Sequence, residues 1–200
     1  MTGVKKIVKG FTVLEMVVVM GIFSIASVYS MSAYVKSNTG QRKIVNISKG
    51  TTDARYAMET MVREIRTGKI DYQKYIDSGI SITDEPIHDL IIRDADNNLV
   101  WFSLFDDGSR KEIRVCYTDD ACNGGLWSQI TPANTDVTTF DLYIWPKMDP
   151  FTWDDDYNDY KSNEQPKVTI IIRNKSLESS DNLSKEIHLQ TTVTSRAYVR

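Results

Sequence analysis

Glu15 is the ionisable residue most at odds with its surroundings in this sequence. It stands directly before Met16–Val35, a run of 20 residues without a charge, a proline or an amide side chain. A carboxylate costs about 2.5–3.5 kcal/mol at the centre of a membrane helix and less toward the interface, so an acid placed there without reason is improbable. The other groups with chemical potential are weaker. His88 and His188 are far apart and in no H-x-x-H or H-E-x-x-H setting, which predicts lone strand or surface histidines. Asp154, Asp156 and Asn158 have the 1, 3, 5 spacing of a calcium loop. Asp159 replaces the glycine of position 6 and Gln165 the glutamate of position 12, so a solvated acidic loop is the expectation. Asp94-x-Asp96-x-Asn98 repeats the spacing, but a hairpin turn accounts for it. Cys116 and Cys122, six apart, are too few for a zinc site and leave a disulfide or two free thiols in a hairpin. No G-x-S-x-G, P-loop or G-x-G-x-x-G occurs, and nothing in the sequence argues for an enzyme.

The segments that must position these groups differ sharply in charge. The chain has 200 residues, 41% of them hydrophobic, with 24 basic and 27 acidic side chains. That length can bury a core, which excludes a disordered chain and a disulfide-dense mini-scaffold. Residues 1–10 hold Lys5, Lys6 and Lys9 and no acid, and residues 11–35 hold Glu15 alone. The remainder carries 21 basic and 26 acidic residues, a net −5. A 20-residue apolar run spans about 30 Å as a helix, the thickness of a bilayer core. The leading lysines predict a cytoplasmic N-terminus and an extracytoplasmic body, where a Cys116–Cys122 disulfide is the natural state. A cleaved secretory signal would be shorter and end in a small-residue site. A plain anchor fits the length but leaves Glu15 without a purpose.

Lys9-Gly10-Phe11-Thr12-Val13-Leu14-Glu15 and the apolar run after it closely resemble the class III signal of type IV pilins and type II secretion pseudopilins. The resemblance implies cleavage by a prepilin peptidase between Gly10 and Phe11 and methylation of the new N-terminus, with Glu15 as the fifth mature residue. Glycine before the cut lets an active site approach the backbone closely. The mature chain would hold 21 basic and 27 acidic residues, a net −6, and expose a new ammonium at the membrane. A buried carboxylate beside a buried ammonium is tolerable where either alone is not. Glu15 of an incoming subunit would thus pair with the Phe11 amine of a neighbour and set register in a fibre. Some pseudopilins bind calcium, which keeps Asp154, Asp156 and Asn158 as a weak candidate ion site. No other cofactor is expected.

The helical pattern continues past the membrane. Ile44, Ile47, Ala54, Ala57, Met58, Met61, Val62 and Ile65 fall on one face, with Arg55, Glu59 and Arg63 opposite. Gly68 marks the stop, and Ser37-Asn38-Thr39-Gly40 is a point where the helix could bend or open. A long helix over 11–67 is therefore expected, half in membrane and half an amphipathic spine. Beyond it the period becomes two, giving strands at Asp89–Arg93, Leu99–Phe105, Glu112–Tyr117, Thr138–Trp145, Lys167–Arg173 and Glu186–Ser195. Asp94–Asn98 and Asp106–Ser109 read as hairpin connectors. Helix first and antiparallel strands after it is the α+β pattern, here with a type IV pilin-like fold.

Three segments follow: a leader, 1–10; a transmembrane and polymerisation helix, 11–35; and an extracytoplasmic domain, 36–200, its sheet packed on the spine. Met61-Val62-Arg63-Glu64-Ile65-Arg66, Trp145, Trp153, Pro166-Lys167-Val168-Thr169-Ile170 and the ending Leu189–Arg196 resemble the J-type minor pseudopilins and PilW-like minor pilins. The resemblance implies a structural subunit that initiates or caps a type IV pilus-like or type II secretion fibre. Its partners would be prepilin peptidase, other pilin-type subunits, an inner-membrane assembly platform and the bilayer. The alternative is a single-pass anchored binding or adhesion domain that does not polymerise. The body is acidic and lacks a basic stripe, so direct nucleic-acid binding is not expected.

Overall fold

Helix α1 runs from Val13 to Thr67, 55 residues without interruption. In the computed structural model the described residues are 10–83, 86–118, 122, 127–155, 158–160, 164–177 and 186–196. The expected opening at 37–40 is absent: the Thr39 hydroxyl donates to the Val35 carbonyl at 3.0 Å and the segment stays helical. A single Gly40 costs a helix about 1 kcal/mol, too little to break one this long.

The chain divides into two compact units, residues 1–44 and 45–200. Every described side chain of the first is exposed. Its serines are absorbed locally, Ser24 and Ser27 donating to the Met20 and Phe23 carbonyls at 2.8 Å each. This part of α1 is long and apolar enough to cross a membrane.

In the second unit, burial along α1 begins at Gly50 and continues through Ala54, Ala57, Met58, Met61 and Ile65. The expected stripe is therefore shorter at its start, since Ile44 is 68% exposed and Ile47 only half-buried. Arg55, Glu59 and Arg63 face outward. Gly50 sets the close approach: a Cβ there would lie 2.8 Å from Ile187 Cδ1. The Asn174 amide donates to its carbonyl at 3.0 Å.

Ten strands and a short helix follow: β1 (Lys69–Ile70), α2 (Tyr72–Asp77), β2 (Asp89–Arg93), β3 (Leu99–Asp106), β4 (Lys111–Thr118), β5 (Trp127–Gln129), β6 (Thr135–Trp145), β7 (Trp153–Asp154), β8 (Asp159–Tyr160), β9 (Lys167–Ser176) and β10 (Ile187–Thr194). They form a five-stranded sheet, β1-β2-β3-β4-β5, a three-stranded sheet, β10-β9-β6, and a β7-β8 hairpin, all antiparallel. The six expected strands correspond to β2, β3, β4, β6, β9 and β10, and the two hairpin connectors join β2 to β3 and β3 to β4. Two sheets replace the one expected. One core unites the buried α1 residues with Leu90, Ile92 and Phe102 from the larger sheet and Phe140, Leu142, Ile170 and Ile172 from the smaller.

Two tyrosines lock the segment after α1. The Tyr75 hydroxyl, fully buried, donates to the Asp89 carbonyl at 2.8 Å and accepts the Ile91 N–H at 2.9 Å. Burial pushes its ionisation well above the ordinary tyrosine value. Tyr72 donates to the Pro146 carbonyl at 2.9 Å and ties down the chain leaving β6.

Candidate processing and assembly site

Thr12 decides where the helix begins. Its hydroxyl accepts the Glu15 N–H at 3.2 Å and its carbonyl accepts the Met16 N–H at 3.2 Å, so Thr12 is the N-cap of α1. Glu15 consequently sits in the first turn, where a carboxylate complements the positive end of the helix dipole. Gly10 and Phe11 lie outside the helix and are exposed, Phe11 by 73%, and no atom crowds the Gly10 Cα. Among the described residues the Gly10–Phe11 peptide is thus non-helical, exposed and one residue ahead of the cap. Lys5, Lys6 and Lys9 lie outside the described residues.

Cutting that bond would create an ammonium at Phe11, at the positive end of α1, where a cation is disfavoured by about 0.3–1 kcal/mol. A carboxylate supplied by Glu15 of the same or another chain offsets it. The large apolar side chains from Val13 to Val35 surround α1 and are all exposed, a pattern suited to lipid or to other apolar helices.

The remaining candidates have structural settings. Cys116 and Cys122 are joined as a disulfide with Cα atoms 5.9 Å apart, and Trp127 Nε1 donates to the Cys122 carbonyl at 3.1 Å. His88 Nδ1 meets the Phe140 carbonyl at 2.7 Å and lies 3.6 Å from Asp141. His188 lies 3.1 Å from Glu186. His88 lies just before β2 and His188 on β10, with different partners. Asp154 pairs with Asp159 across the β7–β8 hairpin, and Asn158 adopts φ +49° at its turn. Asp156 lies outside the described residues.

A cleft of about 600 Å³ opens beside the end of α1, lined by Lys69, Asp71, Tyr72, Arg93, Asp149 and Phe151. Its charges answer one another: Arg93 Nε donates to Asp71 Oδ2 at 2.7 Å, and Asp71 also caps α2 through the Lys74 N–H at 2.9 Å. Asp107, in the β3–β4 turn, accepts from the Ser109 hydroxyl and from the Ser109 and Arg110 N–H groups, which holds its carboxyl down to about 2. That is turn chemistry.

Residues 5–30 match the prokaryotic N-terminal methylation motif. The matched segment contains Gly10, Phe11, the Thr12 cap and Glu15, so the motif and the geometry meet on the same residues. The methylation motif supports a place in the type IV pilin-like superfamily, indicates a structural protein, and implies processing by a prepilin peptidase and assembly with other pilins. The α+β fold, a long N-terminal helix with antiparallel sheets, is consistent with it. No curated protein and no solved structure matches the chain.

Sequence reasoning used Thr12 only as part of the motif and missed its role as the cap. The signal was present: Thr12-x-x-Glu15 has capping-box spacing ahead of an apolar run.

Proposed function

We propose that this chain is a minor pilin or pseudopilin of the J-type or PilW-like group, a low-copy subunit at the start or tip of an envelope fibre. The observation that carries the reading is the coincidence of the methylation motif with an exposed, non-helical Gly10–Phe11 bond and a Thr12-capped α1 bearing Glu15 in its first turn. Three lysines before the apolar run orient the chain with residues 36–200 outside the cytoplasm. Glu15 then meets the Phe11 ammonium of a neighbouring subunit within the apolar environment, where the pair sets register.

The minor rank is supported by the excursion between β6 and β9. It carries the β7–β8 hairpin with Trp153 half-exposed and stacked edge-on against Tyr160 at 5.2 Å. A repeating subunit must pack identical bodies on every side, which disfavours a long exposed aromatic excursion, whereas an end position accommodates it. Quantitative proteomics of purified fibres tests the rank. The expected result is a copy number far below that of the most abundant pilin, and fewer fibres when this chain is deleted. Equal copy number, or unchanged fibre number on deletion, overturns it.

A further inference from the structure

The two outer strands of the three-stranded sheet are treated in opposite ways. On β6, the free side is closed: Leu142 and Ile87 exchange N–H···O bonds at 2.9 and 3.1 Å, His88 occupies the Phe140 carbonyl, and the register shifts between Val137 and Thr139. In the five-stranded sheet, the outer strands β1 and β5 are only two and three residues long. Short edges, bulges and covering segments are the means by which proteins prevent strand addition.

Among the described residues β10 has none of these. It pairs with β9 over eight residues without a shift, from Ile187↔Asn174 to Thr194↔Lys167. Its sequence, IHLQTTVT, contains no proline, lysine or carboxylate. The hydrogen-bond phase follows from Ser195, whose N–H donates to the Pro166 carbonyl at 2.9 Å one step past the last pair. Bonded and non-bonded pairs alternate in an antiparallel ladder, so Ile187, Leu189, Thr191 and Val193 bond β9. His188, Gln190, Thr192 and Thr194 turn their N–H and C=O groups away from it. Among the described residues nothing bonds those outward groups. Ile187, Leu189 and Thr191 remain half-exposed on the inner face, where Val193 is buried. An added strand would complete their burial.

We infer that the outer edge of β10 receives an extended strand from a different subunit of the fibre. The incoming segment would run for about six to eight residues, apolar at alternate positions and free of charge, bonded through its main chain to His188, Gln190, Thr192 and Thr194. The choice of a fibre subunit rests on the function proposed above; the unpaired outer side of β10 among the described residues does not.

A photo-crosslinking residue at Thr194 of the full-length chain, in cells assembling the fibre, tests this. The expected result is an adduct with a different chain that carries its own N-terminal methylation motif. That adduct should fall at least about ten-fold in Gln190→Pro and in His188→Pro, each of which removes an outward donor and spares the bonds to β9. Amide exchange needs no variant: the Gln190 and Thr192 amides exchange freely in the unassembled chain and become protected in fibres, while Leu189 and Thr191 are protected in both. No adduct, an adduct undiminished in both proline variants, an adduct only with a second copy, or unchanged exchange at Gln190 and Thr192 overturns the inference. Intact mass of the same sample separates the two claims. A cleaved leader with no adduct sinks the edge alone, whereas an uncleaved leader sinks the fibre reading.

Discussion

The Thr12 hydroxyl accepts the Glu15 N–H at 3.2 Å, which joins the second residue after the proposed cut to the acid that the proposed assembly uses. One cap therefore fixes two things: where the non-helical segment ahead of α1 ends, and the turn of α1 on which the carboxylate stands. Thr12→Ala removes a cap worth about 1 kcal/mol. Amide exchange at Glu15 in micelles should quicken about five-fold, and Thr12→Ser should restore protection. Equal exchange in wild type and Thr12→Ala would contradict the cap.

Glu15→Ala should leave membrane insertion and the fold of residues 45–200 intact, because Glu15 is exposed and belongs to the other compact unit. Removing the acid eases insertion while deleting the partner for a neighbour's ammonium. Fractionation should find the variant in the membrane, and cross-linking of assembled subunits should find it largely missing from fibres. Normal incorporation would refute the registry role.

Gly68→Ala should destabilise the folded body by about 1–3 kcal/mol, the usual range for overpacking, which lowers Tm by about 2–4 °C per kcal/mol at this size. A Cβ on Gly68 would lie 2.4 Å from the Arg93 carbonyl oxygen and 2.9 Å from that of Glu64, and backbone cannot step aside. Gly50→Ala should differ. Its Cβ meets the flexible end of Ile187, and alanine gains about 1 kcal/mol of helix propensity, so the net change should stay within about 1 kcal/mol. Thermal unfolding of both variants checks the contrast.

The disulfide closes a loop with a sequence separation of 6. Chain entropy assigns such a loop about 2 kcal/mol. The double variant Cys116→Ser, Cys122→Ser should unfold several degrees lower, and thiol titration of the unreduced folded protein should find no free cysteine. Two titratable thiols would exclude the bond.

The helix and the long strands could be read from the sequence because their periods persist. The apolar stripe from Ala54 to Ile65 repeats over three turns of α1, and β9 alternates buried and less buried residues from Lys167 to Asn174. The two- and three-residue strands β1, β5, β7 and β8 and the six-residue α2 offer too few residues for a period to register. Gly68 was legible as a stop, but the reason for it, a backbone carbonyl from β2 pressed against it, is a tertiary fact. His88 likewise carried no sequence signal for closing the β6 edge, because the Phe140 carbonyl it meets lies 52 residues away. The start of α1 was legible as a motif, since Gly10, Phe11, Thr12 and Glu15 lie close together in the sequence and their geometry is that of a single helix start.

The central claim is that the chain is cut after Gly10 and works as a pilin-type subunit. Intact-mass measurement of the protein extracted from membranes of cells with an active prepilin peptidase tests it most directly. The account predicts the mass of residues 11–200, beginning with Phe11, plus one methyl group on the new amine. A chain that keeps residues 1–10 in those cells would contradict it and leave the anchored, non-polymerising domain as the reading.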